Sequence, residues 1–142
     1  MTIRTVVIML GRGGSSGLPG KNVMPILGKP MMEYPLIAAE RSDSVSDIYL
    51  TTDDDQIASI GAHYGANIIK RPPELCTDDA LFEDALVHAW KYVSEQTSPK
   101  PDYVVILMCN APMVVADQID QGIKMMEADP DADSAVTVSK YN

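Results

Sequence analysis

The sequence predicts an α/β fold, in which a Rossmann-like and mostly parallel β-sheet carries helices on both faces. Continuous apolar runs alternate with amphipathic stretches along the 142 residues, as in chains of βαβ units. Two of the runs, Ile3–Leu10 and Tyr103–Met108, are rich in β-branched residues and apolar on both faces, which is typical of central strands in parallel sheets. The length suits a single domain spanning residues 1–142.

Shorter segments complete the predicted sheet. They have the composition of strands and are Ser46–Thr51, Ala66–Lys70 and Ser134–Ser139. No helix follows the last segment to cover it before the sequence ends at Asn142. Three explanations stay open, namely a piece of a longer protein, dependence on a partner surface, or a small complete α/β sandwich.

Amphipathic segments between the strands are predicted to be helices. These segments are Met31–Glu40, Asp54–Tyr64, Ala80–Glu95 and Ala116–Glu127. Pro35 fits the first helix only in or near its first turn, because proline has no backbone N–H group to donate. Asp53 and Asp54 are expected to cap the second helix, and Gly65 suits its left-handed C-terminal position. The range Thr77–Asp79 is expected to cap the third helix.

Charge and cysteine content narrow the partners and the location. The net charge of −9 repels nucleic-acid phosphates and anionic membranes, so we expect neither as a partner. Cys76 and Cys109 have no CxxC spacing and no paired histidine, which favours free thiols in a reducing cytoplasm over a zinc site or a disulfide. No apolar run is long enough to cross a bilayer, and the first residues lack a signal-peptide cleavage site. We therefore expect a cytoplasmic protein.

The segment Leu10–Asn22 (LGRGGSSGLPGKN) is the strongest functional signal in the chain. Its glycines and Pro19 exclude regular structure, and glycines let amide N–H groups converge on an anion without obstruction by Cβ. The segment follows a predicted strand, which is where ligands bind in open parallel sheets. Arg12 and Lys21 add positive charge. We expect a phosphate-binding loop, and the alternative is a tight loop that carries two solvated cations.

Two common phosphate loops fail on spacing. A Walker A loop would need glycine at position 15, which is Ser15, and a hydroxyl after Lys21, where the chain has Asn22. A dinucleotide-binding loop would need glycine at Ser16, and Pro19 blocks the helix that should follow at once. The segment is therefore predicted to belong neither to an ordinary P-loop ATPase nor to a Rossmann dehydrogenase.

The loop instead resembles the N-terminal motif of the sugar nucleotidyltransferases. The string RGGSxGLPGKN, followed by GKPMMEYPLIAAE, is similar to that of the CMP-acylneuraminate (sialic acid) synthetases, with the CMP-Kdo synthetases as cousins. The resemblance continues through TTDDDQIA, GANIIKRPPELCTDDA and PDYVVILMCNAPMV, so it covers nearly the whole chain in order. It implies the nucleotide-diphospho-sugar transferase type of fold and an enzyme of the cytidylyltransferase type.

The resemblance also implies roles for individual residues. Arg12 and Lys21 would contact the triphosphate and offset the charge that develops on departing pyrophosphate. Asn22 matches a position that reaches the nucleoside, and Arg71 matches one beside the base, although a surface charge before a turn is the alternative for Arg71. The implied nucleotide site consists of Leu10, Gly11, Arg12, Gly13, Gly14, Lys21, Asn22, Arg71 and Ala80. Mg²⁺ as cofactor and a homodimer are further implications.

Several positions depart from the family pattern. Ser16 replaces a lysine, and Met108 and Val114 replace a glutamine and an arginine. Asn110 stands where the Kdo-type cousins have an aspartate that helps to hold magnesium, so it is a weak candidate ligand, since a neutral amide binds Mg²⁺ less well than a carboxylate. Phe82 replaces a serine near the base and could only pack or stack.

Three functions follow from these matches and departures. The leading hypothesis is transfer of CMP from CTP to an acidic sugar with release of pyrophosphate. The second is transfer of another nucleotide, such as GMP, to a sugar phosphate. The third is a degenerate or truncated nucleotide-binding module without turnover.

Overall fold

The computed structural model describes residues 2–140 and confirms the α/β class. Its elements in chain order are β1 (Thr5–Leu10), β2 (Pro25–Ile26), β3 (Lys29–Pro30), α1 (Glu33–Arg41), β4 (Val45–Thr52), α2 (Asp55–His63), β5 (Asn67–Lys70), α3 (Phe82–Gln96), β6 (Tyr103–Met108) and α4 (Ala116–Ala128). Four strands form a parallel sheet in the order β5-β4-β1-β6. Strands β2 and β3 form a separate antiparallel ribbon.

The core forms on both faces of β1. Val7 and Met9 face α1, α2 and α4, whereas Val6 and Ile8 face α3. Every residue of β1 is buried, as expected for a strand whose two faces are both apolar and both covered. The prediction of a central strand at this position is therefore confirmed.

The same prediction for Tyr103–Met108 is wrong within residues 2–140, because β6 lies at the edge of the described sheet. On one face Leu107 is buried, but on the other Ile106 is exposed. The physical reason lies in α3, which contacts β1 and β4 and leaves the end of β6 uncovered. An apolar pattern alone does not determine whether a neighbouring element covers a strand.

The predicted helices are all present, with small shifts of their ends. Pro35 lies in the first turn of α1, and Gly65 after α2 has a φ of +78°. Asp54 caps α2, since its Oδ1 accepts a hydrogen bond of 2.8 Å from the backbone N–H of Ile57. The predicted cap of the third helix by Thr77–Asp79 is wrong, because α3 begins only at Phe82 and has no side-chain cap.

The predicted strand Ser134–Ser139 is also wrong, because this segment has no regular structure. Val136 and Val138 are almost fully exposed. Its alternating pattern suits a strand, but a strand is stable only when its backbone groups are paired, and no other segment within residues 2–140 pairs with it.

The sequence also predicts free thiols and no run long enough to cross a membrane. Both cysteines are free, with Cys109 buried and Cys76 half-buried. In the part of the chain that the structure describes, no helix has both the length and the apolar character needed to cross a membrane.

Candidate functional site

A cleft of about 190 Å³ opens at the carboxyl-terminal edge of the sheet. The strand order places it at a switch point, because the chain proceeds from β1 to β4 and β5 on one side and then crosses to β6 on the other. Ligands of open α/β sheets bind at such points. Eight of the nine residues of the predicted nucleotide site line the cleft, namely Leu10, Gly11, Arg12, Gly14, Lys21, Asn22, Arg71 and Ala80. The ninth, Gly13, lies outside its lining.

Gly11 lets the ends of β1 and β6 approach each other closely. Its N–H donates a hydrogen bond of 3.2 Å to the carbonyl of Thr51, and a Cβ at this position would collide with Sγ of Cys109. Burial raises the pKa of Cys109 to about 12, although Arg71 acts in the opposite direction. The thiol therefore stays neutral and acts as a packing group below the loop.

Gly13 is turned toward two carboxylates at the end of β4. Its N–H donates a hydrogen bond of 3.0 Å to Oδ1 of Asp53. A Cβ on Gly13 would lie 2.6 Å from Oδ2 of Asp54, so only glycine fits without a shift. Sequence reasoning assigned Asp53 only to a helix cap, whereas in the structure it holds the loop. The position of Asp53 directly after the strand beside β1 could have indicated this contact.

Arg12 is held at both its backbone and its side chain. Its carbonyl accepts a hydrogen bond of 3.1 Å from Nδ2 of the buried Asn22. Its Nη1 donates to the carbonyl of Cys76 at 3.2 Å and forms an ion pair of 2.9 Å with Oδ1 of Asp78. These contacts join the loop after β1 to the segment before α3. Asp78 thus pairs with a site cation instead of capping a helix.

Arg71 is buried beneath the cleft, so the alternative of a surface charge is wrong. Its Nη2 donates to the carbonyl of Thr51 at 2.9 Å and its Nε donates to Oγ1 of the same residue at 3.3 Å. Burial lowers its pKa, and Cys76 and Asp53 act against that shift. Among residues 2–140 no carboxylate lies within 4.0 Å of the guanidinium. Because arginine stays protonated in proteins, its charge lies at the floor of the cleft without a carboxylate in direct contact.

The remaining predicted residues form the rim. Lys21 begins a short 3₁₀ turn, and Gly20 before it has a φ of +68°. No described carboxylate lies within 4.0 Å of the Lys21 ammonium group. Gly14 borders open space, and Ala80 lies in the turn before α3, where its N–H donates to the carbonyl of Thr77. The rim of the cleft therefore contains the Lys21 ammonium group and the uncrowded backbone of Gly14.

The described residues do not form a Mg²⁺ site of their own. Asn110 lines the cleft, but within residues 2–140 no three histidine, cysteine, aspartate or glutamate side chains cluster closely enough to hold a metal. Three acids that contact or follow the loop and strand ends are engaged in other contacts, since Asp53 accepts from Gly13, Asp54 caps α2 and Asp78 pairs with Arg12. A single neutral amide is a weak ligand for Mg²⁺.

Comparison with known proteins agrees with this geometry. A family model described as cytidylyltransferase matches residues 6–142. The chain belongs to this cytidylyltransferase family. The match confirms the resemblance drawn from the loop and from the motifs that follow it.

The individual relatives share less than a third of their aligned residues with this chain. It is 28% identical over 142 residues to an N-acylneuraminate cytidylyltransferase of Escherichia coli O18:K1:H7, covering 100% of this chain and 33% of the relative. It is 30% identical over 129 residues to an 8-amino-3,8-dideoxy-manno-octulosonate cytidylyltransferase of Shewanella baltica, covering 90% and 49%. The chain thus spans between a third and a half of the length of these relatives.

A solved structure with the same fold is a CMP:2-keto-3-deoxy-manno-octonic acid synthetase complexed with CTP. It has a TM-score of 0.72 and 26% sequence identity, and the match covers 90% of this chain and 49% of that one. The likeness confirms that this parallel sheet and its helices have the fold of that synthetase.

Proposed function

We propose that the cleft binds CTP and that the protein transfers CMP to an acidic sugar with release of pyrophosphate. The observation that carries this proposal is the convergence of Arg12, Lys21 and Arg71 with a glycine-rich loop at the switch point of the sheet. The chain as a whole has a net charge of −9, whereas the described lining of the cleft contains these three cations and no acidic residue. The names of the relatives support cytosine as the base and an acidic sugar as the acceptor.

The residues of the cleft would act mainly through position and charge. Arg12 and Lys21 bind the triphosphate, and Arg71 adds its positive charge from below. A sugar hydroxyl attacks the α-phosphorus, its proton passes to water, and the bond to the β-phosphate oxygen breaks. Cations fixed beside the departing pyrophosphate stabilise the charge that develops on it. Leu10, Gly11, Gly14, Asn22 and Ala80 shape the pocket around the nucleotide.

Magnesium belongs to the proposal only as the companion of the nucleotide. Mg²⁺ usually binds through substrate phosphates and one or two carboxylates, and retains several waters. Asn110 lines the cleft and would add an amide oxygen, and the described residues contain no carboxylate cluster that would complete a site. We therefore assign the metal no step of its own among these residues.

A nucleotide-binding module without turnover is the second candidate. The relatives are cytidylyltransferases and a CMP-sugar synthetase, which supports the first candidate over this one. It shares the binding site with the first candidate and differs in one outcome, because nucleotide would bind without release of pyrophosphate. A homodimer and a cytoplasmic location remain predictions, and sedimentation velocity with cell fractionation would test them.

Calorimetry with Mg²⁺ and each of CTP, UTP, GTP and ATP tests binding, and release of pyrophosphate in the presence of acylneuraminate or octulosonate acceptors tests transfer. Lys21→Ala should weaken CTP binding by about tenfold or more, because a charge-assisted contact is lost. Lys29→Ala is the matched control, since Lys29 is exposed on β3 outside the cleft, and its affinity should equal that of the unaltered protein. Binding of no triphosphate would overturn the proposal.

A further inference from the structure

The peptide group between Arg12 and Gly13 is held by side chains on both of its sides. Its carbonyl, that of Arg12, accepts a hydrogen bond of 3.1 Å from Nδ2 of Asn22. Its N–H group, that of Gly13, donates a hydrogen bond of 3.0 Å to Oδ1 of Asp53. The C=O and N–H groups of a planar trans peptide point in opposite directions, so the two side chains hold it from opposite sides. We call this arrangement the peptide clamp.

The two side chains of the clamp differ in origin and in burial. Asn22 is buried and lies in the short 3₁₀ turn that begins at Lys21, whereas Asp53 is exposed and directly follows β4. The bond to Asp53 joins residues that are 40 positions apart in the chain. Because β4 is paired with β1, the clamp fixes the loop after β1 to the neighbouring strand of the same sheet.

The carboxylate of Asp53 needs an explanation at this place, because a negative charge repels the phosphates that the cleft is proposed to bind. Asp53 is not a counter-ion by direct contact, since within residues 2–140 its carboxylate lies within 4.0 Å of no cation. Burial lowers the pKa of Arg71, and Asp53 is near enough to act against that shift. Its direct contact with the loop is the bond from Gly13, and a charged acceptor makes such a bond stronger.

The clamp acts on the backbone that carries Arg12. The N–H of Gly11, one residue earlier, donates to the carbonyl of Thr51 at 3.2 Å, so the backbone is held on both sides of Arg12. Held peptide groups restrict φ and ψ, and they thereby restrict the direction of the Cα–Cβ bond of Arg12. A side chain that leaves the backbone in a fixed direction loses less conformational entropy when it binds a ligand.

We propose that Asp53 is a positioning residue of the site, which acts on the triphosphate through the peptide clamp and Arg12 without contacting the ligand. This inference rests on the proposed function and adds to it a residue outside the lining of the cleft. It also means that the N–H of Gly13 stays bonded to Asp53, so that phosphate binding falls to the side chains of Arg12 and Lys21.

Calorimetry with CTP separates the hydrogen bond of Asp53 from its charge. Asp53→Asn and Asp53→Ala remove the same charge, but only Asp53→Ala removes the acceptor for Gly13. Asp53→Asn should bind CTP at least as tightly as the unaltered protein, and Asp53→Ala should bind it about threefold to tenfold more weakly than Asp53→Asn. Asp55→Asn, exposed in the first turn of α2, controls for a charge lost from the same segment and should behave like Asp53→Asn.

Two outcomes of this experiment have different meanings. Equal CTP affinities of the two Asp53 variants would overturn the positioning role and leave the proposed function intact. Absence of CTP binding by the unaltered protein would overturn the proposed function and this inference with it.

A double-mutant comparison tests whether Asp53 acts through Arg12. In an Arg12→Ala background, Asp53→Ala should lower CTP affinity by less than about twofold further, because the side chain that the clamp positions is absent. In a Lys21→Ala background, the loss of about threefold to tenfold should remain. The same loss in both backgrounds would mean that Asp53→Ala affects the fold in general, which would contradict the proposal.

Amide hydrogen exchange of the unaltered protein tests the clamp without any substitution. The N–H of Gly13 should exchange at least about tenfold more slowly than that of Gly17, which lies in the exposed part of the same loop. Exchange of Gly13 as fast as that of Gly17 would mean that the bond to Asp53 is not formed in solution. That result would overturn the proposal even if Asp53→Ala does not fold.

Discussion

Strands β1 and β6 are neighbours with the same apolar character, but their surroundings differ. Ile8 of β1 and Ile106 of β6 are aligned in the parallel ladder, and yet Ile8 is 0% exposed and Ile106 is 46% exposed. The loops that follow differ too. The loop after β1 is held by side chains of Asp53 and Asn22, whereas the turn after β6 is held by backbone hydrogen bonds from Cys109 and Ala111.

The difference shows how the cleft arises. An apolar run on both faces of a strand indicates that burial is favourable there, but the neighbouring elements determine whether it happens. Where the covered strand meets the uncovered one, the fold has a loop held by side-chain hydrogen bonds on one side and exposed apolar surface on the other. A ligand with an anionic part and an apolar part fits this boundary.

The largest expected effect tests the difference in burial between the two strands. Ile8→Ala should lower the free energy of unfolding by about 2–5 kcal/mol, because it leaves a cavity in a packed core. Ile106→Ala removes the same atoms from a half-exposed site and should cost less than about 1 kcal/mol. Urea denaturation of both variants measures the two changes.

The pair is its own matched control, since the residues have the same type, sheet and register. Equal losses would mean that β6 is covered in solution, by a second copy of the chain for example. In that case the comparison between the strands would fail.

Sequence reasoning captured what depends on local pattern and missed what depends on neighbours. The fold class, the helices and the loop Leu10–Asn22 follow from periodicity and composition. The hydrogen bond from Gly13 to Asp53 depends on the register between β1 and β4, which lie about forty residues apart, and no local pattern contains it. The segment Ser134–Ser139 has the pattern of a strand, but within residues 2–140 no strand pairs with it.

A smaller effect on stability tests how α4, the helix after β6, is attached to the segment between α1 and β4. Asp120 of α4 accepts hydrogen bonds from Oγ of Ser42 at 2.6 Å and from the N–H groups of Ser44 and Asp43 at 3.1 and 3.3 Å. Burial raises the pKa of Asp120, but these bonds outweigh burial and lower it overall. A lowered pKa means that the carboxylate stabilises the fold above the ordinary aspartate range, near pH 4, and that this stability is lost as the pH falls through the folded-state pKa.

Asp120→Asn should therefore cost about 1 kcal/mol at pH 7, a modest value because the site is only partly buried. The difference from the unaltered protein should shrink as the pH falls below the ordinary aspartate range and through the lowered folded-state pKa, since the carboxyl group is neutral in both folded and unfolded chains only below that pKa. Glu127→Gln, exposed on the same helix, is the control and should change little at either pH. Thermal unfolding across this range gives the result, and a constant difference would contradict the assigned cause.

The smallest effect concerns the acidic contact that holds the loop after β1. Arg12 is paired with Asp78, so a bound phosphate must share or displace that carboxylate. Asp78→Asn should raise CTP affinity by about twofold to fivefold, since an exposed ion pair contributes at most about 1 kcal/mol, and the gain should shrink at high salt. Asp79→Asn removes the same charge one residue later, where no described cation lies within 4.0 Å. An equal gain in CTP affinity in both variants would mean that the effect comes from the change in net charge. A loss of affinity in Asp78→Asn would mean that Asp78 positions Arg12 for the phosphate instead of competing with it.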